Sequence, residues 1–219
     1  SFPFGAAIMG SLVVGGMSAW FALPIAFAGG VAAGLVTATI HNKLGVPNLL
    51  AGILTMTMLY SVNIRVLGGR ANVPLLRVDT ILTGVTELAP VSQPYSMLVF
   101  FVIVALLIKS ALDLFFRTDL GLTIGAMGNN PQMVISQGVN PETLKLIGVG
   151  LSNGLVAVSG AFLAQFQGFA DVNLGQGIII SGLASVMIGE FLLKSNRIWV
   201  LTLRVLLGSI LFRAIMYAG

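Results

Sequence analysis

SFPFGAAIMGSLVVGGMSAWFALPIAFAGGVAAGLVTATI, residues 1–40, contains no ionisable side chain; the first is His41 and the first full charge is Lys43. At roughly 20 apolar residues per bilayer crossing, such a stretch holds about two crossings. The rest of the chain extends the pattern. Of its 219 residues, 57% are hydrophobic and only 8% are charged, and the mean hydropathy is +1.01. Soluble domains usually carry about 25% charged residues. Charges this sparse cannot clothe a water-facing surface, so the solvent for most of the chain is lipid.

Seven hydrophobic segments can be read, at about residues 4–20, 23–40, 47–64, 96–114, 143–166, 177–193 and 199–217. Their runs are long and continuous and lack the alternation of barrel strands. In lipid every backbone polar group must be satisfied within the segment, which favours helices. The expected fold is therefore an all-α, polytopic transmembrane helical bundle with about seven spans, forming one membrane domain over residues 1–219. The tight joint at residues 22–24 suggests a helical hairpin or a broken re-entrant element. Gly30 and Gly34, Gly150 and Gly154, and Ser181 and Ser185 are pairs four residues apart. Such pairs put small side chains on one face and let helices approach closely; they are read as packing surfaces rather than as a specific dimer motif.

Alternating crossings sort the polar stretches onto two sides. One side holds residues 41–46, 115–142 and 194–198, with Lys43, Lys109, Arg117, Lys145, Lys194 and Arg197 in or beside them. The other holds residues 65–95, with Arg65, Arg70, Arg77, Asp79 and Glu87, and the loop 168–177, which has Asp171 but no Lys or Arg. The excess of Lys and Arg places the first side in the cytoplasm. With the positive residues scattered in this way, the net charge of +4 reports orientation and gives no nucleic-acid signal.

Within the cytoplasmic stretch of about residues 115–142, two helix starts lie ten residues apart. Asn130 can cap a helix beginning at Pro131, and Asn140 one beginning at Pro141. Gly138 can end the first helix in a left-handed conformation. The result is a helix of about two turns, residues 131–137, that presents Met133, Val134 and Ile135 outside the membrane. Such a helix can dock in a groove of a partner or lie on the lipid surface, and the residues alone do not choose. On the opposite side, Asp171 and Asn173 sit in the Gly-punctuated loop GFADVNLGQG, residues 168–177. That loop fits the mouth of a pathway, or an ordinary tight connection.

Ionisable residues inside spans are functional candidates by default. Arg204 and Arg213 fall on opposite faces of the last segment, about 14 Å apart along its axis. Arg204 can snorkel to the cytoplasmic edge and Arg213 to the far headgroups. Glu190 can pair with Lys194 or Arg204. All of these are read as anchors. The absence of cysteine excludes disulfides, thiolate metal sites and Cys nucleophiles. A single His leaves no metal-cluster signature. No nucleotide-binding Gly-rich Lys loop, no nucleophile elbow and no series of membrane carboxylates for a proton relay is found. The chain reads as a non-enzyme without a cofactor, and the energy for any transport must come from a partner.

The run 121–138, with its Gly-x-Asn-Pro at Gly128–Pro131 and Gly138-Val139-Asn140, resembles the cytoplasmic signature of ABC importer permeases of the branched-chain amino-acid and ribose type. SFPFGAA at residues 1–7, NLLAGILTMTMLYSVN at 48–63 and GFADVNLGQGIIISGLASVMIGE at 168–190 look like a smaller subfamily of uncharacterised or aromatic-amino-acid-type permeases. The resemblance implies a permease in a bacterial plasma (inner) membrane that forms the translocation pathway for a small solute, an amino acid or related compound. It implies two cytoplasmic ATP-binding subunits, an extracytoplasmic solute-binding protein or lipoprotein, and a second permease copy in a homodimer. It also identifies residues 130–138 as the coupling helix that docks on the ATPase, with Asn130, Pro131, Met133, Val134, Ile135, Gly138 and Asn140 as the coupling residues. Related permeases have a further helix before the SFP segment and more residues after the last span, so eight or more spans are expected in the whole protein. Gly125 departs from the wider family, where many members have a basic residue; Arg117 is the candidate substitute. The competing classes are an ion-coupled secondary transporter or channel, and a membrane subunit with no conduit.

Overall fold

The computed structural model describes residues 1–76, 78–88, 93–175, 177–193 and 198–218. Arg77, Lys194 and Arg197 lie outside the described residues, and with them the expected Glu190–Lys194 pairing. The elements in chain order are α1 (Phe2–Val14), α2 (Ala19–Leu44), α3 (Asn48–Val66), β1 (Asn72–Pro74), α4 (Ile81–Leu88), α5 (Gln93–Phe115), α6 (Asp119–Asn129), α7 (Pro131–Ser136), α8 (Pro141–Gln167), β2 (Phe169–Asp171), α9 (Ile178–Leu192) and α10 (Ile198–Ala218). Among the described residues five helices are long and apolar enough to cross a membrane: Ala19–Leu44, Asn48–Val66, Tyr95–Phe115, Pro141–Gln167 and Ile198–Tyr217.

The other two of the seven expected segments are shorter helices. α1 has 13 residues and α9 has 15, which at 1.5 Å per residue gives only about 20 and 22 Å of length. The joint after the first segment also differs from expectation. The chain breaks at residues 15–18, where Gly16 takes φ +89°, and Pro24 lies inside α2. Pro24 removes its own amide from the helix ladder and crowds the Trp20 carbonyl, yet α2 runs on through it, whereas the chain leaves the helix at the glycine pair.

Helix α1 packs against both α2 and α8, which also meet each other directly. Ala6, Ala7 and Met9 are fully or almost fully buried. Small residues make this closeness possible. A Cβ on Gly5 would overlap the carbonyl of Ala157, and one on Gly160 would overlap the carbonyl of Phe2. The same device joins α2 to α8. A Cβ on Gly34 would stand 2.6 Å from the Val149 carbonyl oxygen and 2.8 Å from Gly150 Cα, and one on Gly154 would stand 2.7 Å from the Phe27 ring. Two of the Gly pairs singled out in the sequence therefore face each other. Of the third pair only Ser185 lies in a helix contact of this kind: Ser185 and Gly189 of α9 lie directly against Gly208 of α10. Edge-to-face contacts of Phe101 with Phe162 and Phe166 tie α5 to α8.

Long-range contacts fix which loops share an end of the bundle. β1 pairs antiparallel with β2, Val73 opposite Ala170, so residues 72–74 and 169–171 are at one end. At the other end the α2–α3 connection meets the start of α8: Asn42 donates to the Glu142 carbonyl at 3.1 Å, and Lys145 Nζ lies 2.9 Å from His41 Nε2. Near that same end, the last turns of α5 contact the start of α10. These pairings group residues 41–46 with the start of α8, and 72–74 with 169–171, as the alternating crossings do. They also place the two ends of α9 at opposite ends of the bundle.

Candidate functional site

The polar segment between α5 and α8 is built by its caps. Thr118 accepts from the Gly121 amide at 3.3 Å and starts α6. Gly121 is required there, because a Cβ would overlap the Phe115 carbonyl at the end of α5. Asn130 Oδ1 accepts from the Met133 amide at 3.3 Å and starts α7, with Pro131 in its first turn. Gly138 takes φ +79°, a conformation glycine adopts without steric cost. Asn140 Oδ1 accepts from the Glu142 amide at 2.9 Å and starts α8, with Pro141 in its first turn and the Glu142 carboxylate near the positive end of the helix. Both Asn-Pro pairs thus act as helix starts.

The exposed face of α7 is narrower than the sequence suggests. Met133 is 52% exposed and Ile135 46%, but Val134 is only 3% exposed. Successive residues on a helix are turned by about 100°, so three consecutive apolar side chains cannot all point outward. Val134 anchors α7 inward, and Met133 and Ile135 stay exposed on the two flanks of the helix. At Gly125 an added Cβ would meet nothing within 4 Å. The position is open, and no neighbouring group closes on it.

At the opposite end, Asp171 and Asn173 come together with β1. Asn72 donates to Asp171 Oδ2 at 3.1 Å, and the Asn173 amide donates to Asp171 Oδ1 at 2.7 Å. Both carboxylate oxygens are used at the strand pair. In the last helix, Arg204 pairs with Glu190 of α9 at 3.1 Å, one of the two partners expected for Glu190. Arg213 is exposed near the far end of α10.

One group was missed by the sequence reading, which found no series of membrane carboxylates. Asp113 lies in the last turns of α5, paired with Lys109 at 2.5 Å and accepting from the Thr202 hydroxyl of α10 at 2.6 Å. Lys109 also stands over the Trp199 ring, 5.1 Å from its centroid. The Lys109–Asp113 spacing of four residues is the signal that could have revealed the pair. Among the described residues there is no group of three or more His, Cys, Asp or Glu side chains able to hold a metal ion.

The long apolar helices and their tight Gly-mediated packing define a multi-pass integral membrane protein, with the capped segment of α6 and α7 between two of its candidate spans. Residues 2–217 match the family described as branched-chain amino acid transport system / permease component, and the chain belongs to it. It is a transport subunit of the membrane-spanning kind. It is 39% identical over 217 residues to a tyrosine transport system permease protein of Clostridioides difficile (strain R20291), covering 99% of this chain and 70% of that one. It is 33% identical over 197 residues to an uncharacterized protein of Rickettsia prowazekii (strain Madrid E), covering 90% of this chain and 66% of that one. No solved structure matches it.

Proposed function

We propose that the chain forms the membrane pathway of an ATP-driven importer for an aromatic amino acid, working as one of two permease copies. The observation that carries the reading is α7. It is a short helix outside the candidate spans, started by Asn130, with Met133 and Ile135 left exposed between two stiffly capped helices. A membrane subunit with no nucleotide loop of its own must receive work from an ATPase. A rigid apolar knob at the cytoplasmic end is a means of receiving it. The family supports the importer class, and the tyrosine permease of Clostridioides difficile supports the choice of substrate. An extracytoplasmic binding protein would deliver the solute at the end carrying β1 and β2. Residues 130–140 hold and present the coupling helix, with Val134 seating it and Met133 and Ile135 making the contact.

The test is uptake of labelled tyrosine by the reconstituted complex of permease, ATPase and binding protein. Met133→Asp combined with Ile135→Asp should leave ATP hydrolysis running while uptake per ATP falls at least about tenfold, because two charges in an apolar contact are left without partners. Uptake per ATP at the wild-type level in this double variant rejects the coupling role of α7. Uptake driven by an ion gradient with the permease alone rejects the ATP-driven class.

A further inference from the structure

Lys109 and Asp113 take no part in the coupling segment, yet they are the more deeply buried of the two ion pairs among the described residues, with side chains 9% and 14% exposed. Helix packing alone does not call for such a pair, since apolar residues of similar volume often serve as well or better. Charges kept within membrane spans mark pathways and ligand sites. Lys109 and Thr202 stand in the wall of a cavity of about 880 Å³ between α5, α6 and α10. That volume lies in the range of about 300–1,000 Å³ typical of small-ligand sites. The remaining wall is mainly apolar and includes Leu112, the Phe116 ring and Leu201, with Asn129 at the end of α6. On the other side of Lys109, Asp113, Arg117 and Trp199 line a smaller hollow of about 440 Å³.

We infer that Lys109, Asp113 and Thr202 are a recognition site for the α-amino and α-carboxylate groups of an aromatic amino acid whose ring occupies the 880 Å³ cavity. The inference rests on the amino-acid-import reading and names a site within it. A cation and an anion in contact are the complement of a zwitterion. Lys109 borders both spaces, so the head group sits where they adjoin: the substrate carboxylate replaces Asp113 on the Lys109 ammonium, and the substrate ammonium replaces Lys109 on Asp113 at the edge of the smaller hollow. The charges in the site then still sum to zero, which avoids an uncompensated charge in an apolar setting. Thr202 holds the Asp113 carboxylate from α10, and the Trp199 ring holds the Lys109 ammonium. A ring in the cavity rests against Phe116 and reaches Asn129, the residue before the cap of α7. Occupancy of the site is thereby sensed next to the coupling segment.

The chain has two tryptophans, Trp20 and Trp199, so Trp20→Phe leaves Trp199 as a reporter beside the site. The full-length permease carrying this change, in lipid nanodiscs, is titrated with L-tyrosine, with tyramine, which lacks the carboxylate, and with 3-(4-hydroxyphenyl)propionate, which lacks the ammonium. L-tyrosine should give a saturable change in Trp199 emission, and each analogue should bind at least about tenfold more weakly, the worth of one charge-assisted hydrogen bond. Asp113→Asn should erase the preference over the propionate, and Lys109→Gln the preference over tyramine. The exchange Lys109→Asp with Asp113→Lys keeps the ion pair; under the inference it restores folding but not the wild-type affinity. A purely structural pair predicts full restoration of affinity by the exchange, and that result overturns the site. So does the absence of a saturable signal when the wild-type complex imports tyrosine. A wild-type complex that imports no amino acid overturns the functional reading itself.

Discussion

At the scale of single residues, Asn130 and Gly34 are the positions where one atom decides most. Asn130 contributes one side-chain oxygen to the Met133 amide, and α7 has only six residues to hold it in place. Asn130→Ala should cost about 1 kcal/mol of local stability. The expected result is faster amide exchange over residues 131–137 and lower uptake per ATP, with Asn130→Asp close to wild type in both. Equal exchange in the two variants would show that the cap does not hold the helix. Gly34 is decided by the opposite problem, a lack of space. A Cβ there meets backbone atoms of Val149 and Gly150, which cannot swing aside as a side chain can. Gly34→Leu should destabilise by at least about 1–3 kcal/mol through overpacking, seen as a lower melting temperature in detergent and less monodisperse protein. The exposed Leu35→Ala on the same helix should leave both nearly unchanged.

At the scale of elements, what could be read in advance depended on whether the cause was local. The caps at Asn130 and Asn140 were legible because a cap is set by residues two or three positions away. The Gly pairs were legible as packing faces, although nothing in the sequence said that Gly34 would meet Gly150. The shortness of α1 and the displaced joint were not legible, since apolar composition runs without a break through Gly15 and Gly16 to Trp20. Burial of Val134 depends on how α7 leans on its neighbours, which its three apolar residues cannot report. The antiparallel pair of β1 and β2 joins strands of three residues each, nearly a hundred positions apart. Asp171, in the sequence a candidate for the mouth of a pathway or part of a tight connection, is hydrogen-bonded to Asn72 across this strand pair and to the Asn173 amide. Asp171→Ala and Asn72→Ala should speed amide exchange over residues 72–74 and 169–171 alike, and change uptake alike. A change in substrate selectivity caused by Asp171→Ala alone would instead place that carboxylate on the pathway.

At the scale of the whole molecule, the contacts sort the loops onto two ends and the Lys and Arg bias proposes which end faces the cytoplasm. Lys and Arg gather beside one set of loops, and the same loops are joined to one another by His41–Lys145 and Asn42–Glu142. The strand pairing gathers the opposite set. The orientation matters for function, because α7 can receive work from an ATPase only if it faces the cytoplasm. The chain has no cysteine, so single introduced cysteines report sidedness without interference. Ala71 and Ser136 are both exposed and lie at opposite ends of the bundle. In intact spheroplasts a membrane-impermeant maleimide should label Ala71→Cys fully and Ser136→Cys only after permeabilisation. The reverse pattern would invert the protein and remove α7 from reach of any cytoplasmic ATPase. Labelling of both positions from outside would mean that α5 does not cross, and the cavity beside Lys109 would then open to a different solvent.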